Sequence, residues 1–255
     1  RKAIKLKPTR LSHFEYAGCL FESKALDAAK KKLDRAQPLA DKDVNNSLLY
    51  AAKSAIDFAE KQSITQPKLD DSKDSEIFNN QRFEKLILNR PVEVELLSYL
   101  YSLKNRKLEI TKDGRYGEGV CSPDFQLFQD RSPIITTLEK DIKEICKKAL
   151  QINKIFIADS FFNIFISGSG AKPHAHINRQ DKNFDLSSYK YTLVYYLDIG
   201  DQTGDSPGIL KLYDPEEEIL PINGMIVIVD SKRPHSVLYR GNKDRVMVGV
   251  NFYGF

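Results

Sequence analysis

IFIADSFFNIFISGSGAKPHAHI, residues 155–177, marks the point at which the texture of the chain changes. Short runs of β-branched and aromatic residues, which fit a pleated surface, are interrupted from here on by glycine, proline, asparagine and aspartate. IFIADSFFNIFI (155–166), PHAHI (173–177), YKYTLVYYLDI (189–199), GILKLY (208–213), GMIVIVD (224–230), HSVLYR (235–240) and DRVMVGVNFY (244–253) read as strands. Strands this closely spaced, with no helical period between them, predict an antiparallel sandwich or jelly roll packed by the helices that precede it.

Upstream the period is helical. Ser132-Pro133 supplies an N-cap and an N1 proline before Ile135, Leu138, Ile142 and Ile145, and Pro91 opens a second pattern through Val94, Leu97, Leu100 and Leu103. Between them GRYGEGVCSPDF (114–125) holds too many breakers for a regular element and reads as a loop. Ser12 and Glu15 have capping-box spacing, and Leu26, Ala29, Leu33 and Ala36 continue a helix over 13–36, up to Pro38. Leu48, Ala52, Ala55 and Ala59 mark a second helix over 43–61, so an antiparallel hairpin is expected, similar to one unit of a tetratricopeptide-type repeat but without a second copy. The expected organisation is α+β: a helical hairpin at 1–62, a polar linker at 63–78, and a β domain with supporting helices at 79–255.

Lysine and arginine number 39 against 35 aspartates and glutamates, scattered without a dense basic block, which argues against a nucleic-acid partner. Cys19, Cys121 and Cys146 are odd in number and far apart, as expected of free thiols in a reducing compartment. No apolar run approaches the roughly 18 residues of a membrane span, and the basic opening RKAIKLKPTR leads into no signal-peptide core, so a cytoplasmic protein is expected. Opening on Arg1 and not on methionine, the sequence is consistent with a piece of a longer chain.

The chemistry concentrates in the β region. Of the four histidines, His174, His176 and His235 fall there. If PHAHI is extended, the imidazoles of His174 and His176 point to one face, and a close pair plus one distant histidine is how three nitrogens from two strands converge on a metal. An isolated H-x-H is more often a pair of surface or hydrogen-bonded loop residues, so the surroundings decide.

Those surroundings, Phe161 to Phe255, resemble 2-oxoglutarate/Fe(II) oxygenases of the prolyl-hydroxylase-like branch. The features that carry the resemblance, in order, are PHAHI, the strand YTLVYYLD, the segment PGILKLYDP, the turn PINGMIVIVD, and RPHSVLYRGNKDRVMVGVNF. The resemblance implies a double-stranded β-helix in which His174, His176 and His235 hold iron(II), and Arg245, with Tyr196, holds the far carboxylate of the cosubstrate 2-oxoglutarate. Dioxygen would take the remaining position. The implied activity is hydroxylation of a small-molecule or protein substrate, such as a prolyl side chain, that the sequence does not identify, and the N-terminal helices are a candidate surface for a protein partner. Thr192, Val194 and Tyr196 share a face by parity. Read alone, Arg245 is more often a surface strand arginine paired with Asp244 or a nearby acid, and Tyr196 is equally a core aromatic with its hydroxyl satisfied elsewhere.

Three positions depart from the family. His176 stands where the metal-binding aspartate is usual, Phe165 where many relatives carry a tyrosine, and Met247 where a small hydroxyl residue is common. Imidazole in place of carboxylate makes the site one unit more positive. A shifted register using His176 and Asn178, or recruitment of Asp181 or Asp185, stays open. So do two other functions: a three-histidine zinc hydrolase, and a degenerate binding module without turnover.

Overall fold

The computed structural model describes residues 10–37, 46–65 and 85–255. The helices are α1 (Arg10–Glu22), α2 (Leu26–Ala36), α3 (Ser47–Thr65), α4 (Val94–Ser102), α5 (Pro133–Leu150) and α6 (Arg179–Asn183). The early strands are β1 (Lys85–Asn89), β2 (Arg106–Lys107), β3 (Arg115–Tyr116) and β4 (Gly119–Cys121). The later ones are β5 (Ile155–Phe165), β6 (Ser169–His174), β7 (Lys190–Asp198), β8 (Pro207–Leu212), β9 (Glu217–Ile219), β10 (Met225–Asp230), β11 (His235–Tyr239) and β12 (Arg245–Gly254). Helices and antiparallel sheet together make the chain α+β. Among the described residues no helix is long and apolar enough to cross a membrane, and the three cysteines are free.

The chain divides into two compact units, and the division does not follow the sequence order. One unit gathers α1–α3 with Ile177–Tyr189 and Phe255, so a segment expected inside the β domain clusters with the helices. Within this unit Ala29, Leu33, Leu49, Ala52 and Ile56 are buried, Lys30 and Asp57 pair at 2.6 Å, and Phe14 meets Phe184 edge-on at 4.7 Å.

The single helix expected over 13–36 is two helices. α1 stops at Glu22, where Lys24 takes a left-handed φ of 58° and the Ala25 amide reaches back to the Leu20 carbonyl at 2.9 Å. That is a Schellman stop with lysine where glycine is usual, so no glycine advertised it. Ser12 lies inside α1 and not at its cap. Of the expected linker, residues 63–65 end α3 and the remainder lies outside the described residues.

The other unit is two antiparallel sheets. The larger runs β1-β10-β7-β12-β5-β4-β2 and the smaller β3-β6-β11-β8-β9. The chain passes from one sheet to the other at β5-β6, β6-β7, β7-β8, β9-β10, β10-β11 and β11-β12, so the two layers are wound together. β12 lies between β5 and β7 and is buried along its whole length. Its Val246, Val248, Val250 and Phe252 face away from the second sheet, while Met247, Gly249 and Asn251 face a cavity between the layers. The stretch 114–125, expected as a loop, contains β3 and β4, which extend the smaller and the larger sheet respectively. Each is too short for its alternation to be visible among the glycines. β6 ends at His174, before the end of PHAHI.

α5 begins with Pro133 at its first position, as expected, although the Ser132 hydroxyl makes no capping bond. At the start of α4, Arg90 is nearly fully buried and ties β1 to the helices: it donates to Glu93 at 2.7 Å, to Asp141 at 2.9 Å and to the Tyr195 hydroxyl at 3.1 Å.

Phe162 is 1% exposed and does not line the cavity, unlike Phe161 and Asn163 on either side of it. Phe162→Ala should therefore cost about 3–5 kcal/mol of stability in chemical denaturation without altering the cavity. A loss under about 1 kcal/mol would mean that the outer face of β5 is not packed.

Candidate metal centre and buried cavity

His235 opens β11 and is the cross-strand partner of His174, the last residue of β6, so pairing alone brings these two imidazoles together at 4.6 Å between ring centroids. His176 lies beyond the strand. Its ring nevertheless stands 4.8 Å from that of His174 and 5.2 Å from that of His235. One nitrogen from each of the three lies within 4.8 Å of the others, and among the described residues this is the cluster able to hold a metal ion.

The cluster contains no carboxylate. Asp181 is fully buried and accepts from the Asn178 amide at 2.7 Å in the capping box of α6, while Asp185 sits at a left-handed φ of 52° ahead of the next turn. Asn178 itself caps that helix through its side chain.

Two of the rings are oriented by backbone carbonyls. Nδ1 of His174 lies 2.7 Å from the Lys172 carbonyl and Nδ1 of His235 lies 3.3 Å from that of Arg233. A carbonyl can only accept, so each Nδ1 carries the proton and each Nε2 keeps its lone pair. Burial pushes His235 down to about 4, with repulsion from His174 adding to it and the Arg233 carbonyl opposing. Burial also holds His176 well below the ordinary imidazole value, reinforced by His235, His174 and Lys190.

The histidines stand on the wall of a cavity of about 390 Å3 between the sheets. Along β5 its lining is Asp159, Phe161, Asn163 and Phe165; along β7 it is Thr192, Val194 and Tyr196, the face expected from parity. The smaller sheet adds Ala171, Leu210 and Val237. Gly249 is required where β12 crosses this wall, since a Cβ there would come within 2.4 Å of the Phe161 ring.

Arg245, at the far end of β12 from Asn251, has no exposed surface, and its Nε and Nη2 have no partner. Nη1 donates to the Gly208 carbonyl at 2.5 Å, and the guanidinium lies over the rings of Tyr196 and Tyr239 at 5.6 and 5.0 Å. Burial lowers its basicity and the two tyrosines oppose that. The expected alternative pairing with Asp244 is not made: the Asp244 carboxylate accepts from Tyr101 at 3.0 Å. Burial pushes the Tyr196 hydroxyl up to about 12, against the pull of Arg245, so it remains a donor at neutral pH. Phe165 and Met247 complete this end, in the apolar cluster with Tyr196, Leu210 and Tyr239.

Sequence reasoning missed the other end. Arg115 grips Asp113 through Nε and Nη2 at 2.9 and 2.5 Å, donates to Asn163 at 2.9 Å, and lies 5.0 Å from the Phe125 ring and 5.5 Å from that of Phe161. Burial raises the Asp113 carboxyl, but the bonds from Arg115 outweigh it and leave it low. Asn251 was also missed, although parity along β12 from Met247 would have found it.

No family model and no curated protein matches the chain. Solved structures are similar to it in fold. One is a 2OG-Fe(II) oxygenase family oxidoreductase from Burkholderia pseudomallei, at 14% identity and TM-score 0.49, covering 66% of this chain and 84% of that one. A second is a prolyl-4-hydroxylase from Pseudomonas putida, at 16% identity and TM-score 0.45, covering 68% and 92%. A third is a prolyl hydroxylase from Trichoplax adhaerens in complex with a hypoxia inducible factor peptide fragment, at 15% identity and TM-score 0.47, covering 84% and 94%. The functional reading rests on the geometry of the site itself.

Because the folded protein holds His235 neutral, it binds fewer protons than the unfolded chain, in which histidine titrates near 6.5. The stability this group confers on the metal-free protein is complete above that value and is lost as the pH falls toward about 4. Nitrogen-15 spectra of metal-free protein should place the His235 midpoint close to 4. A midpoint near 6.5 would show a solvated ring.

Proposed function

We propose that the chain is an iron(II)- and 2-oxoglutarate-dependent oxygenase on a double-stranded β-helix, hydroxylating a substrate that enters at the histidine end of the cavity. The order β10-β7-β12-β5 opposite β6-β11-β8-β9, with the chain wound between the layers, supports the jelly-roll assignment. In this reading His174, His176 and His235 hold the metal, and Arg245 and Tyr196 hold the far carboxylate of the cosubstrate. The helical hairpin and the β domain are separate modules in the same proposal.

Arg245 is the observation that carries it. A guanidinium is always charged, and burying one with two nitrogens unsatisfied is costly. Those nitrogens match a carboxylate, and Tyr196 offers a hydroxyl proton beside them. A dicarboxylate answers both ends of the site, one end to the metal and the other to the guanidinium. The all-imidazole set suits iron, zinc or copper alike. A three-histidine zinc hydrolase or a module without turnover would leave the open nitrogens of Arg245 without a role.

When bound, iron(II) with 2-oxoglutarate and dioxygen supplies the oxidising power for C–H hydroxylation, coupled to decarboxylation of the cosubstrate. The protein's own part is orientation and exclusion of water. Carbonyls of Lys172 and Arg233 aim two Nε2 lone pairs inward. Phe165, Leu210, Val237 and Met247 line the cavity beside Tyr196 with apolar groups, surroundings that would strengthen a charge-assisted pair at Arg245.

His174→Ala and His235→Ala should each abolish iron(II) binding in anaerobic dialysis while the helical signal persists. Stoichiometric iron in either variant would sink the three-histidine assignment.

For Arg245→Ala the expectation is weaker 2-oxoglutarate binding by on the order of 2–5 kcal/mol, from loss of a charge-assisted pair, with iron(II) affinity nearly unchanged. Calorimetric titration of the iron-loaded protein reads this directly, and an unchanged affinity would make Arg245 structural.

A further inference from the structure

His176 has no strand to hold it, yet it faces its two partners. We propose that Asn251 is the positioning residue for His176 and that its side-chain amide turns over when a metal is loaded; this rests on the reading of His176 as a ligand. The device is a closed ring of hydrogen bonds that begins and ends on His176. Its backbone N–H donates to the Ser231 carbonyl at 2.9 Å. The Ser231 hydroxyl meets the Thr192 hydroxyl at 2.8 Å, and Thr192 donates to Oδ1 of Asn251 at 2.8 Å. Nδ2 of Asn251 donates to Asp159 at 3.2 Å and stands 3.3 Å from Nδ1 of His176, closing the ring. Ser231, Thr192 and Asn251 are all nearly inaccessible.

Asp159 fixes the sense of the amide. A carboxylate accepts, so Nδ2 and not Oδ1 faces it, and the same Nδ2 then faces His176. Nδ1 of His176 must accept, which leaves its proton on Nε2. The other two histidines are the reverse, with the proton on Nδ1 and a lone pair on Nε2. The metal-free cluster is therefore two lone pairs and one N–H.

Ligation of a metal through Nε2 of His176 requires the ring proton to move to Nδ1. An Nδ1–H needs an acceptor, and Asn251 supplies one by presenting Oδ1 in place of Nδ2; the same turn gives up the Nδ2 bond to Asp159, whose carboxylate, only partly buried, rotates away from Oδ1 toward solvent. The Thr192 hydroxyl tolerates the exchange because it can donate or accept. No net proton is gained or lost in the step. Asn251 thus sets which nitrogen of His176 is available, as outer-shell partners of ligating histidines do elsewhere, where their loss weakens metal binding about 10- to 100-fold.

The test uses zinc(II) as a diamagnetic probe, with two variants, Asn251→Leu and the isosteric Thr192→Val. Nitrogen-15 spectra should show His176 protonated on Nε2 in metal-free protein and on Nδ1 after zinc loading, with His174 and His235 on Nδ1 throughout. Asn251→Leu should erase the metal-free preference of His176 and weaken zinc binding about 10- to 100-fold in chelator competition. Thr192→Val, which keeps the shape, should shift both readouts in the same direction by less. The proposal is overturned if metal-free His176 is already protonated on Nδ1, or if both variants bind zinc as the parent does. A parent protein that binds no zinc sinks the metal reading instead, and the metal-free tautomer of His176 is read independently of that outcome.

Discussion

A guanidinium sealed from water has to be answered by something, and the architecture around Arg245 is arranged to leave the answer incomplete. Gly208 takes a φ of 82°, and a Cβ there would fall 1.5 Å from Nη1, so β8 begins with a bare backbone in order to let the arginine in. Its carbonyl takes one N–H. Tyr196 and Tyr239 offer the faces of their rings, which favour a cation but satisfy no N–H. The rest of the neighbourhood is Phe165, Leu210 and Met247, none of which can accept a bond. Strand pairing fixes Arg245 opposite Phe165, and two residues along β12 Met247 pairs with Tyr196, so the charge cannot retreat to solvent without undoing the central strand.

The other end of the site depends on a different constraint, the pairing of β6 with β11. His174 and His235 are neighbours because their strands are. His176 joins the histidine cluster by a route other than the one its spacing suggested. Strand parity was expected to turn it toward His174, but β6 stops first, and the side chain meets β12 while the backbone amide is held by the turn after β10. Nothing in a spacing of two residues could reveal that, since the partners Asn251 and Ser231 come from remote parts of the chain.

Elements whose signal is local were legible. The seven expected strands correspond to β5, β6, β7, β8, β10, β11 and β12, and α5 starts at its proline, whereas α4 begins at Val94, past Pro91. Elements that exist through a neighbour were not: β1, β2 and β9 are edge strands of five, two and three residues, and β3 and β4 are shorter than two full alternations. The helix stop at Lys24 and the one at Gln151, whose φ is 55°, use left-handed residues other than glycine, which deprives the sequence of its usual punctuation. Arg245 and Tyr196 were named through family likeness and the cavity-lining Thr192 and Val194 through parity, whereas Arg115 lay in what read as loop and Asp113 just ahead of it. Their convergence with Phe125, Asn163 and Phe161 is a tertiary event that no local pattern encodes.

That last group gives one stretch of the cavity wall a fixed shape. Arg115 is fastened by a two-pronged bond to Asp113, a third bond to Asn163 and the rings of Phe125 and Phe161, which also meet each other edge-on at 5.2 Å, and Phe161 in turn fills the space that Gly249 vacates. Side chains already immobilised surrender little rotational freedom when a ligand arrives, so the cost of ordering this wall is met during folding and not at each encounter. This wall is consequently fixed in contour, and reshaping it takes a change of residue, Phe161 foremost.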